Sequence, residues 1–246
     1  MSGTLAVTEI IRRLEQGTTQ PFLVRAEDGA LYVAKGREAT RRGLMAEWLC
    51  ANLARGLGLE VPDFVLLEVH GELAEAFGQD GRALGAGPVF GSRLEGGVQE
   101  FALPQLKSVP VETRLRLLAF DWWVENGDRS LTLHGGNPNL LWQASRARLL
   151  VIDHNLAFDP GFDEAAFLAV HVFKDDANGL FGDLVHRLEI ADLLSAALAE
   201  FDAALHSLPA DWRWLDVERT LPAQVDLAAI RARLAERAGL LRGTKP

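Results

Sequence analysis

FDWWVENGDRSLTLHGGNPNLLWQASRARLLVIDHNLAF, residues 120–158, leads from the end of an apolar stripe through a polar loop into two short apolar runs. Leu115, Leu118, Ala119, Trp122 and Trp123 recur at helical spacing after Pro110, and Asn126-Gly127 is a helix stop signal. The polar loop GDRSLTLHGGNPN follows. LLW and RLLVI then bracket QASRA, a pattern that predicts a hairpin opening at Asn139 and delivering Asp153 at its far end. Such a hairpin brings Asn139 and Asp153 together as hard oxygen ligands for one magnesium ion. Asp128, on the loop before it, is placed to accept the proton of an attacking hydroxyl. Asn137 rivals Asn139 as the ligand; Asn139 is preferred because Leu140, Leu141 and Trp142 continue it as a strand.

Upstream, PFLVRAEDGALYVAKG reads as two β-rich runs joined by the hairpin signal Asp28-Gly29, so a small antiparallel sheet is expected early in the chain. Lys35 ends the second run. Leu44, Met45, Trp48, Leu49, Ala51 and Leu53 follow helical spacing up to Gly56 and Gly58, which places Glu47 on a helix. A carboxylate there can orient a lysine that holds phosphate. Strand alternation gives Val33 the face of Lys35, suited to cover an adenine ring, and gives Leu141 the face of Asn139, suited to form its floor.

The first residues, MSGTLAVTEIIRRLEQG, carry a helix-like pattern, with charge and without the apolar core of a signal peptide. VPDFVLLEV is β-rich, and the glycine-heavy stretch from Gly78 to Gly97 is expected to hold further strands and a connector around PVFGSRL. ADLLSAALAEFDAALHSL and DLAAIRARLAERAGLL are amphipathic helices. Strands with one helix, then helices around a small hairpin, predict an α+β fold. The expected lobes are residues 1–106, with a hinge near 90–97, and residues 107–246.

A chain of 246 residues, 48% hydrophobic, can bury a substantial core, and a formal net charge of -9 opposes a broad nucleic-acid or anionic-membrane footprint. No apolar run reaches membrane-spanning length. Cys50 is the only cysteine, which excludes an intrachain disulfide and a thiolate zinc site and fits a reducing cytoplasm.

GTTQPFLV, LYVAKG, AEWLCANLARGLGLEVP, FDWWVENGDR, GNPNLLW and VIDHNLAF, in order from about Gly17 to Phe158, resemble segments of the HipA-like kinases. The resemblance implies a bilobal kinase-like fold, with a small antiparallel-sheet N-lobe and a mainly helical C-lobe. It implies ATP and Mg2+ as cofactors and transfer of phosphate to a hydroxyl acceptor, serine/threonine type. By motif position, Lys35 meets the phosphates, Glu47 pairs with it, Asp128 is the base, and Asn139 and Asp153 hold magnesium. The resemblance also makes Gly17, Thr18, Thr19 and Gln20 a phosphate-binding loop whose backbone amides cradle the nucleotide.

The chain departs from the protein-kinase pattern in two places. Asn126-Gly127-Asp128 stands where His-Arg-Asp is common, and His154-Asn155 follows Asp153 where Phe-Gly is typical. These departures keep open a nucleotide-binding pseudokinase, and the short chain after Asp153 keeps open a small-molecule or lipid hydroxyl as acceptor. GDR, GN and DHN also admit a dinuclear phosphoesterase, but the upstream Asp-x-His and downstream His-x-His pairs are missing. Each residue also has an ordinary reading: solvated charge for Lys35 and Glu47, turn or cap for Asp128, Asn139 and Asp153, and a structural ion pair for Arg129.

Overall fold

The computed structural model describes residues 3–15 and 20–243, and within it the chain divides into two compact units interleaved along the sequence. The first comprises Met1–Trp48, Pro62–Gly96 and Leu208–Val225; the second comprises Leu49–Val61, Gly97–Ser207 and Asp226–Pro246. Segments from both sides of residue 106 therefore contribute to each. The contiguous lobes expected from the sequence are replaced by an exchange of segments.

In the first unit, β1 (Leu5–Arg13), β2 (Phe22–Ala26) and β3 (Leu31–Lys35) precede α1 (Arg41–Gly56), which continues into the second unit. Next come β4 (Phe64–Val69), the short helices α2 (Gly71–Ala76) and α3 (Gly78–Leu84), and β5 (Gly87–Arg93). The strands close into a barrel in the order β1-β2-β3-β5-β4. All pairs are antiparallel except β1 with β4, which is parallel. The simple antiparallel sheet expected from the sequence is thus corrected to a closed barrel, a solution that leaves no open edge. Val7, Ile10, Phe22, Val24, Tyr32, Ala34, Leu67 and Val89 fill it.

β1 corrects the helix-like reading of the N-terminus. A register irregularity between Val7 and Glu9 turns Val7 and Ile10 both into the barrel, and a second follows between Ile10 and Arg12. A bulge inserts a residue into the strand alternation, so an apolar spacing of three imitates a helix. The stretch after Gly78 likewise begins as helix α3, where a strand or connector was expected. Leu84 packs into the barrel core, with Phe77 and Ala83 against it, and this burial overrides the low helix propensity of its glycines. Gly36 is required beside it: a Cβ there would lie 2.0 Å from the Leu84 carbonyl oxygen.

The returning segment Leu208–Val225 joins this unit through Trp212, which is fully buried and donates from Nε1 to the Pro88 carbonyl at 2.8 Å.

After the end of α1, the second unit continues with β6 (Gln99–Glu100) and α4 (Val111–Trp123), followed by β7 (Leu140–Gln143) and β8 (Arg148–Val151). These strands form one sheet in the order β6-β7-β8. Then come α5 (Glu164–Val170), α6 (Ala177–Phe181), α7 (Leu184–His206) and α8 (Leu227–Leu240). Asp183 and Asp226 cap α7 and α8, accepting backbone N–H bonds from Val185 and His186, and from Ala229. α4 is the centre of this core, and its two tryptophans lie fully buried with their indole N–H groups satisfied. Trp122 donates to Glu164 at 2.8 Å and Trp123 to the Leu234 carbonyl at 2.7 Å. No helix among the described residues is long and apolar enough to cross a membrane.

Candidate active site

Lys35 stands at the last position of β3, opposite Phe90 of β5, and its ammonium pairs with the Glu47 carboxylate of α1. The two side chains are 10% and 2% exposed, so the pair is largely stripped of water. Desolvating two charges offsets much of their attraction, which makes a buried pair weak evidence for stability and better evidence for a positioned charge. Phe90, the cross-strand partner of Lys35, stacks on Phe64, which meets Trp48 edge-to-face. Val33 is half-buried on the face opposite Tyr32 and Ala34, which enter the barrel core. Gly17, Thr18 and Thr19 lie outside the described residues; Gln20 is exposed with φ 39°.

In the second unit, α4 ends at Trp123 and the loop that follows presents Asp128. Its Oδ2 accepts two amide bonds, from Asn137 Nδ2 at 2.7 Å and from Asn139 Nδ2 at 2.8 Å. Both asparagines weighed as metal ligands therefore hold the same carboxylate oxygen. Among the described residues, Oδ1 of Asp128 carries no hydrogen bond. Gly136 permits the loop to close, since a Cβ there would lie 2.4 Å from the Ser130 carbonyl oxygen.

Asn139 and Asp153 sit just outside the hairpin strands, not on them as the sequence suggests. Both take left-handed backbone, φ 48° and 57°, which ends the ladder and which Asn and Asp tolerate best among non-glycine residues. The Ile152 N–H still donates to the Asn139 carbonyl at 3.1 Å, so the two candidate ligands flank the last rung of one hairpin. With Nδ2 of Asn139 on Asp128, its Oδ1 is the atom left to accept or ligate. Leu141 is half-buried, on the strand face opposite Leu140 and Trp142.

A buried polar cluster lies behind this loop. Arg129, fully excluded from solvent, donates from Nε to Asp121 Oδ2 at 2.7 Å. Its Nη1 donates to the carbonyls of Pro138 at 3.2 Å, of Ile152 at 3.1 Å, and of Asn139. Asp121 Oδ1 accepts from Asn126 Nδ2 at 2.9 Å, and His171 Nε2 lies 3.0 Å from Asp121 Oδ2. His171 Nδ1 accepts the Phe173 N–H at 3.1 Å, which places the ring proton on Nε2, donated to Asp121. Burial alone would raise the Asp121 pKa, but Arg129, His171 and Asn126 outweigh it and hold the carboxyl below its ordinary range. Burial lowers the His171 pKa more than Asp121 raises it, so the imidazole is neutral.

Arg129 is thus an ion-pair former, as one reading of the sequence has it. Asp121 and His171 were not legible, although an aspartate inside the apolar run LLAFDWW is itself a signal of a buried, partnered carboxylate.

The HipA-like kinase profile matches residues 7–239. This chain belongs to the HipA-like kinase family. HipA-like kinases thus account for nearly the whole chain, and the chain is a kinase. Its fold is similar to the crystal structure of a Helicobacter pylori proinflammatory kinase, CtkA, with a TM-score of 0.57 and 10% identity. The similarity covers 99% of this chain and 95% of that one. No curated protein matches the sequence.

Proposed function

We propose that this HipA-like kinase transfers the γ-phosphate of ATP, with magnesium, to a serine or threonine hydroxyl. Support comes from Asp128: two amides fix one carboxylate oxygen and leave the other, Oδ1, to take the hydroxyl proton. The acceptor oxygen then attacks the γ-phosphorus, the bond to the β,γ-bridging oxygen breaks, and ADP leaves with that electron pair. Within the first unit, Lys35, held by Glu47, meets the phosphates, and Val33 on the same strand face contacts the adenine.

The donor set fits magnesium. Asp153 offers a carboxylate and Asn139 an amide oxygen, both hard ligands, and magnesium ordinarily completes its shell with substrate phosphates and water. When bound, the ion neutralises charge that builds on the transferring phosphate. Among the described residues there is no cluster of three or more His, Cys, Asp or Glu. That donor count suits an ion brought with nucleotide better than the ligand-rich site of a dinuclear phosphoesterase.

The experiment is incubation of pure protein with γ-labelled ATP and magnesium, with serine- and threonine-containing acceptor peptides present. Label on hydroxyl side chains is expected. Tight magnesium-dependent ATP binding without transfer to any acceptor would replace this reading with a pseudokinase; label on a small alcohol alone would change the acceptor class.

A further inference from the structure

We infer that Asp121 and His171 are positioning residues for phosphoryl transfer, acting through Arg129 on the backbone that carries Asn139 and Asp153; the inference rests on the proposed function.

A carboxylate, a guanidinium and an imidazole, all fully buried, form one connected network in the second unit. Replacing such a group by apolar side chains is often no less stable, so its burial calls for a role beyond stability. Its hydrogen bonds supply one. Arg129 Nη1 gathers the carbonyls of Pro138, Asn139 and Ile152, which immediately precede β7 and follow β8. These are the peptide units next to the two left-handed residues of the hairpin, Asn139 and Asp153. Left-handed backbone is held only where its surroundings over-determine it. A cation bonded to three carbonyls at that point fixes the spacing of the two proposed ligands.

Asp121 sets the guanidinium in turn. It also reaches the proposed base by a second route, because Asn126 donates to Asp121 Oδ1 and accepts the Asp128 N–H at 3.4 Å. His171 donates to the oxygen that Arg129 uses, and the segment that carries it is paired to the same loop. Val172 N–H donates to the Arg129 carbonyl at 3.2 Å, and Leu131 N–H to the Val170 carbonyl at 3.1 Å. One carboxylate on α4 therefore registers both the base and the metal ligands while touching neither substrate.

Arg129→Lys provides the sharpest test, because lysine keeps the buried charge opposite Asp121 but lacks the fork that reaches Asp121 and three carbonyls together. His171→Phe keeps an aromatic ring between Phe167 and Phe173 and removes the donor to Asp121; His171→Gln restores a donor near the Nε2 position. Thermal melting, kcat, KM for ATP and the magnesium concentration for half-maximal transfer are measured for each. Arg129→Lys is expected to melt as a folded protein with kcat reduced about tenfold to a hundredfold and a raised magnesium requirement. His171→Phe should lose less, and His171→Gln should recover part of that loss.

Wild-type kcat and magnesium requirement in folded Arg129→Lys would overturn the positioning role and leave the proposed function standing. Should Arg129→Lys not fold, the His171 pair decides, since wild-type kcat in both variants would equally overturn it. Wild-type protein with neither transfer nor magnesium-dependent nucleotide binding overturns the proposed function, and this inference with it.

Discussion

Arg129 Nε lies 2.7 Å from Asp121 Oδ2 with both side chains fully excluded from solvent. Removing one partner leaves the other charge buried and uncompensated, which costs about 3–5 kcal/mol. Asp121→Ala is therefore expected to lose stability of that order in urea unfolding. A double replacement, Asp121→Leu with Arg129→Met, should recover much of the loss, because no charge is left stranded. A single variant as stable as wild type would show that the pair carries no buried charge.

The same cluster makes stability depend on pH. His171 faces Asp121 of α4 and Arg129 of the loop, with Asp176, paired to Arg114 at 3.4 Å, also acting on it. Its folded pKa lies below the ordinary value of 6.5, burial being the main cause. As pH falls through about 6.5 the unfolded chain binds a proton that the native state does not, so stability falls by up to about 1.4 kcal/mol per pH unit. Asp121 is depressed in the folded state, so its contribution persists above about pH 3.9 and is lost only at still lower pH. Of this pair, only the histidine therefore contributes between pH 6.5 and 5, while the carboxyls of Asp176 and Glu68, both raised by burial, act in the opposite direction as pH falls. Melting curves should show a shallower decline over that window for His171→Phe than for wild type; parallel declines would exclude His171 as its source.

Lys35 and Glu47 are paired in a nearly dry setting at the end of β3. Lys35→Met should reduce transfer strongly, by about a hundredfold or more, since it removes a charge from the phosphates. Glu47→Gln should act less severely, because an amide oxygen can still accept from the ammonium. Steady-state transfer at saturating ATP ranks the two. Equal, wild-type rates would make the pair structural.

Much of this was legible because local rules and tertiary contacts agree. Asp28-Gly29 closes the β2–β3 hairpin and LLW with RLLV makes the β7–β8 pair, each by short-range chemistry, whereas α4 ends at Trp123, ahead of Asn126-Gly127, with Glu125 taking the left-handed turn at φ 53°. β1 hides its strand character because the irregularity between Val7 and Glu9 replaces alternation by a spacing of three. Barrel closure needs the parallel pairing of Leu5–Ala6 with Leu67–Glu68, and no local residue pattern encodes a partner so distant in the chain. The return of Trp212 to Pro88 is hidden for the same reason. At the site, Asp128, Asn139 and Asp153 stood out by type and order, but sequence order could not say that Asn137 also turns toward Asp128. His171 is hidden because it lies 50 residues from Asp121 in sequence, whereas Asp121 carries a local signal, a carboxylate within an apolar run and close to Asn126 and Arg129.

The last prediction separates the base from the ligands. Asp128→Asn can turn its carbonyl oxygen to the Asn137 and Asn139 amides, keeping the loop's bonds while presenting NH2 where Oδ1 stood. Transfer should then fall by about 10²–10⁴, with magnesium-ATP binding nearly intact, because the proton acceptor alone is lost. Asp153→Asn removes the only carboxylate of the proposed pair and should weaken magnesium-dependent nucleotide binding itself. Asn139→Ala removes a neutral ligand and one of two bonds to Asp128, so a higher magnesium requirement should accompany reduced transfer. For Asn137→Ala the expectation differs: its amide lies on Asp128, so transfer should drop modestly at an unchanged magnesium requirement. Transfer measured across a magnesium titration for the four variants distinguishes them. A raised requirement in Asn137→Ala with none in Asn139→Ala would exchange the two asparagines, and an active Asp128→Asn would remove the proposed base.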